Sequence, residues 1–218
     1  MNFATTYSRG LFGLEARLVT VEVHVLSGLP KFSVVGLAEI TVKESKERVK
    51  SAIINSGFTF PNRRITVNLA PCDLPKEGGR FDLPIAIGIL LASGQIKSIQ
   101  FGKMELLGEL ALSGNLRPVP GMLMSWLAAH QSKRTLVASY VAPQSMPSIE
   151  GGRFYPAHNL TDVVDHITEL KALKSFESKP ETNLKTELKT TSFEGVRGQK
   201  KAKRGLLLAA AGGHHVLM

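Results

Sequence analysis

The 218-residue chain has one cysteine, Cys72. An internal disulfide is therefore excluded, and the composition fits a reducing cytosol, so a cytoplasmic protein is expected. No apolar run approaches the roughly 18 residues that would cross a bilayer. The first residues, MNFATTYSRGLFGL, lack a basic start followed by an apolar segment, so no signal peptide is expected. Neither GxxxxGK[ST] nor GxGxxG occurs, and no second His, Cys or carboxylate stands at metal spacing from His24. Cys72 lies between Pro71 and Asp73 with no cation beside it, so a small buried thiol is expected rather than a nucleophile.

What is present is an ordinary globular composition, 43% hydrophobic and 21% charged. The formal net charge of +9 is unevenly placed. Residues 1–170 carry 17 Lys and Arg against 14 Asp and Glu, and residues 171–218 carry 10 against 4. A nearly balanced body thus precedes a basic tail. Such a tail suits nucleic acid or an acidic surface, or simply a solvated linker.

The stretch 64–96 organises the rest. Ile65, Val67 and Leu69 alternate with Thr66, Asn68 and Ala70, as in a strand with one buried face. Pro71 and Pro75 end it. A polar loop, Lys76-Glu77-Gly78-Gly79-Arg80, leads into an almost wholly apolar run over 81–92, which reads as a buried helix with Pro84 in its first turn. Gly94 stops it. A strand, a Gly-rich loop and a buried helix can cradle phosphate, present a nucleophile, or serve only as core.

Around this unit, residues 3–36 read as β-structure, with alternation at Val19, Val21, Val23 and Val25. Residues 39–55 switch to a helical period, with Ile40, Val49, Ile53 and Ile54 on the apolar face. Strands are expected over 104–110, 116–119, 135–139 and 154–155, and helices over 122–130 and 160–170, the latter capped by Asn159 or Thr161. Residues 173–192 have linker composition. A helix over 198–211 with a Gly212-Gly213 cap leads to a strand at HHVLM, where adjacent His214 and His215 would point to opposite faces and so not share a metal.

Together, GLPKFSVVGL, VKESKERVKSAI, RRITVNLAP and PKEGGRFDLPIAIGIL resemble the N-terminal region of the YifB/ComM family, bacterial relatives of the Mg-chelatase ATPase subunit. FEGVRGQKKAKRGLLLAAAGGHHVLM resembles the opening of a chelatase-type AAA+ module, before its Walker A loop. The resemblance implies an α+β (α/β) fold of the Lon-protease-like, or ribosomal-S5-domain-2-like, kind over 1–172. A basic linker, 173–192, and a truncated AAA+ start, 193–218, would follow. It places Val196, Gly198 and Gln199 near an adenine edge. ATP and Mg2+ are then the expected cofactors of the longer protein, with none in this part. The expected partners are further copies, in a hexameric ring, and DNA, with no membrane. The expected activity is that of a DNA-acting motor in recombination and natural transformation.

Lon-type peptidases carry a serine in a PKDGPSAG loop and a lysine in a later P-x-G-G-x-K segment. By resemblance the serine position holds Arg80 here, or Phe81 with a one-residue shift, and the lysine position holds Leu123. An arginine gives up no proton as a base and leucine has none to move. A non-catalytic accessory domain is therefore expected. An active Lon-type serine peptidase and a magnesium-chelatase subunit are the alternatives. Asp73, Glu77 and Asp82, interleaved with Lys76 and Arg80, are expected to form a salt-bridged loop. Lys43, Lys46, Lys50, Arg63, Arg64, Lys76 and Arg80 are the candidate nucleic-acid contacts.

Overall fold

A computed structural model describes residues 2–36, 44–97, 101–140, 149, 151–176, 193 and 196–217. It divides into two units, Met1–Lys179 and Pro180–Met218. The first unit mixes an antiparallel-dominated sheet with a parallel one and is α+β.

Strands β1 (Phe3–Phe12) and β2 (Glu15–Leu26) form a long hairpin, with Phe12 opposite Glu15. Only two residues connect them, and Gly13 takes the positive φ of 59° that the first position of a primed turn requires. β4 (Arg64–Ala70) adds antiparallel to β2, and β3 (Lys31–Val35) adds parallel to β4, giving the order β1-β2-β4-β3. The alternation read in the sequence is the alternation of burial: Val19, Val21, Val23 and Val25 of β2 and Ile65, Val67 and Leu69 of β4 share the core face.

Helix α1 (Ser45–Asn55) buries Val49, Ala52 and Ile53, but Ile54, expected on the same face, is half exposed. The residues expected to start this helix fall among 37–43, outside the described set. Helix α2 (Asp82–Ala92) buries ten of its eleven residues. It lies on β1 and β2, where Thr6 Oγ1 donates to the Pro84 carbonyl at 3.0 Å. Gly88 permits this approach: a Cβ there would sit 2.6 Å from Val23 Cγ2.

The expected strand at 104–110 is broken at Gly108 into β5 (Met104–Leu107) and β6 (Glu109–Leu110). β6 pairs with β7 (Leu116–Arg117) across a turn in which Gly114 has φ 89°. Helix α3 (Met122–Gln131) leads to β8 (Thr135–Ser139) and then β9 (Phe154–Ala157), which with β5 form an all-parallel sheet, β5-β8-β9. Trp126 of α3 packs on Phe154, ring centroids 5.5 Å apart, in a second core with Leu107 and Leu136. Helix α4 (Leu160–Ile167) is capped by Asn159, whose side chain accepts from the Asp162 amide at 2.8 Å.

In the second unit, helix α5 (Lys200–Gly212) buries none of its residues, and Gly213 ends it with φ 63°. His214 to Leu217 form no regular element, so the expected strand is not found there. Among the described residues no helix is long and apolar enough to cross a membrane.

Candidate functional site

The strand–loop–helix corner is built by the exit from β4 and the entry to α2. Lys76 points inward, with none of its surface exposed, and its Nζ donates to the Pro71 carbonyl. Burial lowers its pKa, with Cys72 and Asp73 opposing. Gly78 then takes φ 67°, and a short 3-10 turn, Gly79–Phe81, delivers the chain to α2. Gly79 lies against Glu109, whose Cγ would be 2.6 Å from a Cβ at that position.

Arg80 is 6% exposed. Its Nη1 donates to the Arg9 carbonyl at 3.2 Å and its Nη2 to the Pro120 carbonyl at 2.7 Å. Burial pushes its pKa below the usual arginine value, with Glu77 opposing. The guanidinium stays protonated at physiological pH. A cleft of about 390 Å³ opens beside it, lined by Pro75, Glu77, Gly78, Gly79, Glu109 and Pro120 among others.

Neither Lys76 nor Arg80 forms an ion pair among the described residues, so the expected salt-bridged loop is corrected. Asp82 goes instead to Arg48 of α1: Arg48 Nε lies 2.7 Å from Oδ2 and Nη2 3.1 Å from Oδ1, and the Leu110 amide donates to Oδ2 at 3.3 Å. Burial raises the Asp82 pKa and the hydrogen bond from Arg48 pulls it back, while the same bond raises Arg48. Asp82 therefore binds Arg48, the Ser45 hydroxyl and the Leu110 amide, and also stands at a helix start, where an anion is favoured. Cys72 is exposed, not the buried thiol expected.

Three serine hydroxyls of the first unit are committed or without a protein partner. Leu123 is 39% exposed on α3. The Ser125 hydroxyl donates to the Gly121 carbonyl of its own helix at 3.0 Å. The Ser8 and Ser139 hydroxyls are buried with no protein hydrogen-bond partner. No serine hydroxyl bonds a lysine amine among the described residues.

A second polar centre escaped the sequence reading. Glu105 of β5, wholly buried, receives Arg9 Nε at 2.7 Å and Nη2 at 2.8 Å. Arg134 Nε is 2.9 Å from Oε1 of the same carboxylate. That N–H is not aligned for a directed bond, so the contact is an ion pair only. Arg134 also lies over the Tyr7 ring, 4.2 Å from its centroid. The partners are separated by 96 and 29 positions, and no local pattern connects them.

The remaining expected cations divide by place. Lys46, Lys50 and Arg63 line one cleft of about 350 Å³ between β3, α1 and the loop before β4, together with Lys31, which the sequence reading did not single out. Arg64 begins β4, opposite Lys31 in register. Lys43 lies outside the described residues. In the second unit, Gly198 and Gln199 hold φ of 69° and 52°, a left-handed turn that starts α5, and the Val196 carbonyl accepts from Lys203 Nζ. No GxxxxGK[ST] phosphate loop occurs in the 218 residues. No group of three His, Cys, Asp or Glu that could hold a metal gathers among the described residues.

Residues 21–142 match the family described as subunit ChlI of Mg-chelatase. Across its whole length the chain is 46% identical to "Competence protein ComM" of Haemophilus influenzae, covering 43% of that protein. It is 43% identical to "Uncharacterized protein YifB" of Escherichia coli, covering 42%. An uncharacterized protein of Mycobacterium bovis is 31% identical over 228 residues. The chain thus spans less than half the length of these relatives. With the ChlI match covering more than half of its residues, the chain belongs to the Mg-chelatase ChlI-related YifB/ComM family.

Proposed function

We propose that this chain is the non-catalytic N-terminal part of a DNA-acting AAA+ ATPase. Residues 1–172 form a Lon-like accessory domain, 173–192 a basic linker, and 193–218 the opening of the ATPase module. The longer protein assembles as a hexameric ring, takes ATP with Mg2+ and works on DNA as a branch-migration or helicase-like motor. Bound ATP would supply the free energy for movement. In this chain only Val196, Gly198 and Gln199 would touch it, at the adenine edge. The name of the Haemophilus relative, a competence protein, agrees with a role on DNA.

One observation carries the non-catalytic assignment. At the position resembling the peptidase serine, Arg80 spends its donors on the carbonyls of Arg9 and Pro120. Lys76, the amine nearest in sequence, donates a hydrogen bond to the Pro71 carbonyl as well. A Ser–Lys dyad needs a hydroxyl and a desolvated amine within hydrogen-bond reach.

The test has two arms. Residues 1–218 are incubated with unfolded casein and a serine-directed probe, and separately with ATP. No cleavage, no label and no ATP turnover are expected. The longer protein should turn over ATP faster when DNA is added. Labelling of residues 1–218 would restore the peptidase reading, and an ATPase indifferent to DNA would remove the motor.

A further inference from the structure

The cleft between β3, α1 and the loop before β4 has an unusual lining. Lys31, Lys46, Lys50 and Arg63 line it, together with Phe32 and Phe60. No carboxylate lines it among the described residues. Lys46 and Lys50 stand one turn apart on α1, an arrangement that repels by a few tenths of a kcal/mol. The only ion pair any of the four makes among the described residues is Lys46 with Glu47, at 3.6 Å and on exposed side chains. Such a pair contributes little. Four cations are therefore gathered at a cost that nothing described within the fold offsets.

The aromatic residues add a second, independent feature. Phe32 and Phe60 are only partly buried against the core, and Ile54 of the same cleft is 49% exposed. The cleft volume, about 350 Å³, falls at the small end of ligand-pocket sizes. Pro61 and Arg63 also border a neighbouring cleft of about 310 Å³, whose wall holds Thr59 and Gln95. Those two are fixed by a reciprocal pair of hydrogen bonds, 2.8 and 2.7 Å. The two clefts share an edge at Arg63, so a chain-like ligand has somewhere to continue.

We propose that this cleft, lined by cations and two partly buried phenylalanines, binds single-stranded nucleic acid. Lys31, Lys50 and Arg63 take backbone phosphates, and Phe60 offers a face to an unpaired base. The inference rests on the DNA-acting reading above and deepens it by naming the strand state and the site. Cations alone would suit a duplex backbone equally well. A ring recessed among them suits only a base freed from its stack.

The experiment follows anisotropy of a labelled oligo-dT of roughly 15 nucleotides, a length that spans typical single-strand sites, added to residues 1–218 between about 50 and 200 mM salt. K50E combined with R63E should weaken binding at least tenfold and flatten the log–log salt slope by about 1.4, two phosphates at about 0.7 each. F60L should weaken it about five- to a hundredfold with the slope kept, and F60Y should restore it. Thermal melting of each variant shows that the fold is intact. Unchanged affinity in the charge variant removes the cleft, and unchanged affinity in F60L removes the stacking base. Equal affinity for duplex, or displacement by polyglutamate as readily as by unlabelled oligo-dT, overturns the single-strand assignment. ATPase of the longer protein separates the two levels. Stimulation by DNA that survives both variants removes the cleft alone, whereas no stimulation of the parent removes the motor reading.

Discussion

Arg80 and Glu105 illustrate how a buried charge can be satisfied by geometry that no local pattern reveals. Arg80 ends on two carbonyls contributed by segments 71 and 40 positions away. Replacing it by serine takes a donor from each, and a loss of about 2–6 kcal/mol in urea unfolding is expected, from about 1–3 kcal/mol per stranded group. Glu105→Gln removes the anion between Arg9 and Arg134, and like charges then face each other in the interior. A destabilisation of about 3–5 kcal/mol is expected, measured the same way. His166 gives a pH dependence. Its Nδ1 accepts from the Leu173 amide at 3.2 Å, and burial holds its pKa below 6.5. Because the folded value is the lower one, its contribution is complete above 6.5 and is lost as the pH falls through the folded value. The melting temperature should drop across that acidic window, and His166→Gln should remove part of the drop. These residues mark the limit of what could be read in advance. In the sequence Lys76 and Arg80 are cations like Lys46 and Lys50, and all four stand among the candidate nucleic-acid contacts. Only the fold separates the inward pair from the outward one.

At the scale of elements, period carried most of the information. The two-residue alternation of β2 and β4 is their burial pattern, and the unbroken apolar run after Phe81 is the buried helix α2. Where one face is buried, period and burial are the same physical fact. The sequence was less informative at breaks. Gly108 divides an expected strand because its amide donates to the Arg80 carbonyl at 3.2 Å and its own carbonyl accepts from Leu83 at 3.1 Å, contacts made far along the chain. Ile54 stands four residues after Lys50 and so shares the helix face that borders the basic cleft, about 140° round the axis from Val49 and off the core face. The contact of α2 with β2 yields a prediction opposite to helix propensity. Gly88→Ala should favour an isolated helix by about 1 kcal/mol. Here the new methyl would press on Val23, and a net loss of about 1–2 kcal/mol is expected on equilibrium unfolding.

For the whole molecule, the two units differ in what holds them. The first has a continuous core from β2 to α4. The second has α5, a helix of 13 residues with no buried side chain and with Leu207 and Leu208 exposed. An isolated helix of that length is marginal in water. Amide exchange should therefore be fast along α5 and slowest in α2, and α5 should gain protection when the rest of the longer protein is present. Equal protection of the two helices in residues 1–218 would contradict this. The clamp at position 80 bears, finally, on descent. It ties the first hairpin to the turn before α3, so a lineage drifting toward a hydroxyl there would lose stability before any hydrolytic gain could be selected. Purifying selection for foldability alone would then keep that corner as it is, and a return would require several coordinated changes rather than one.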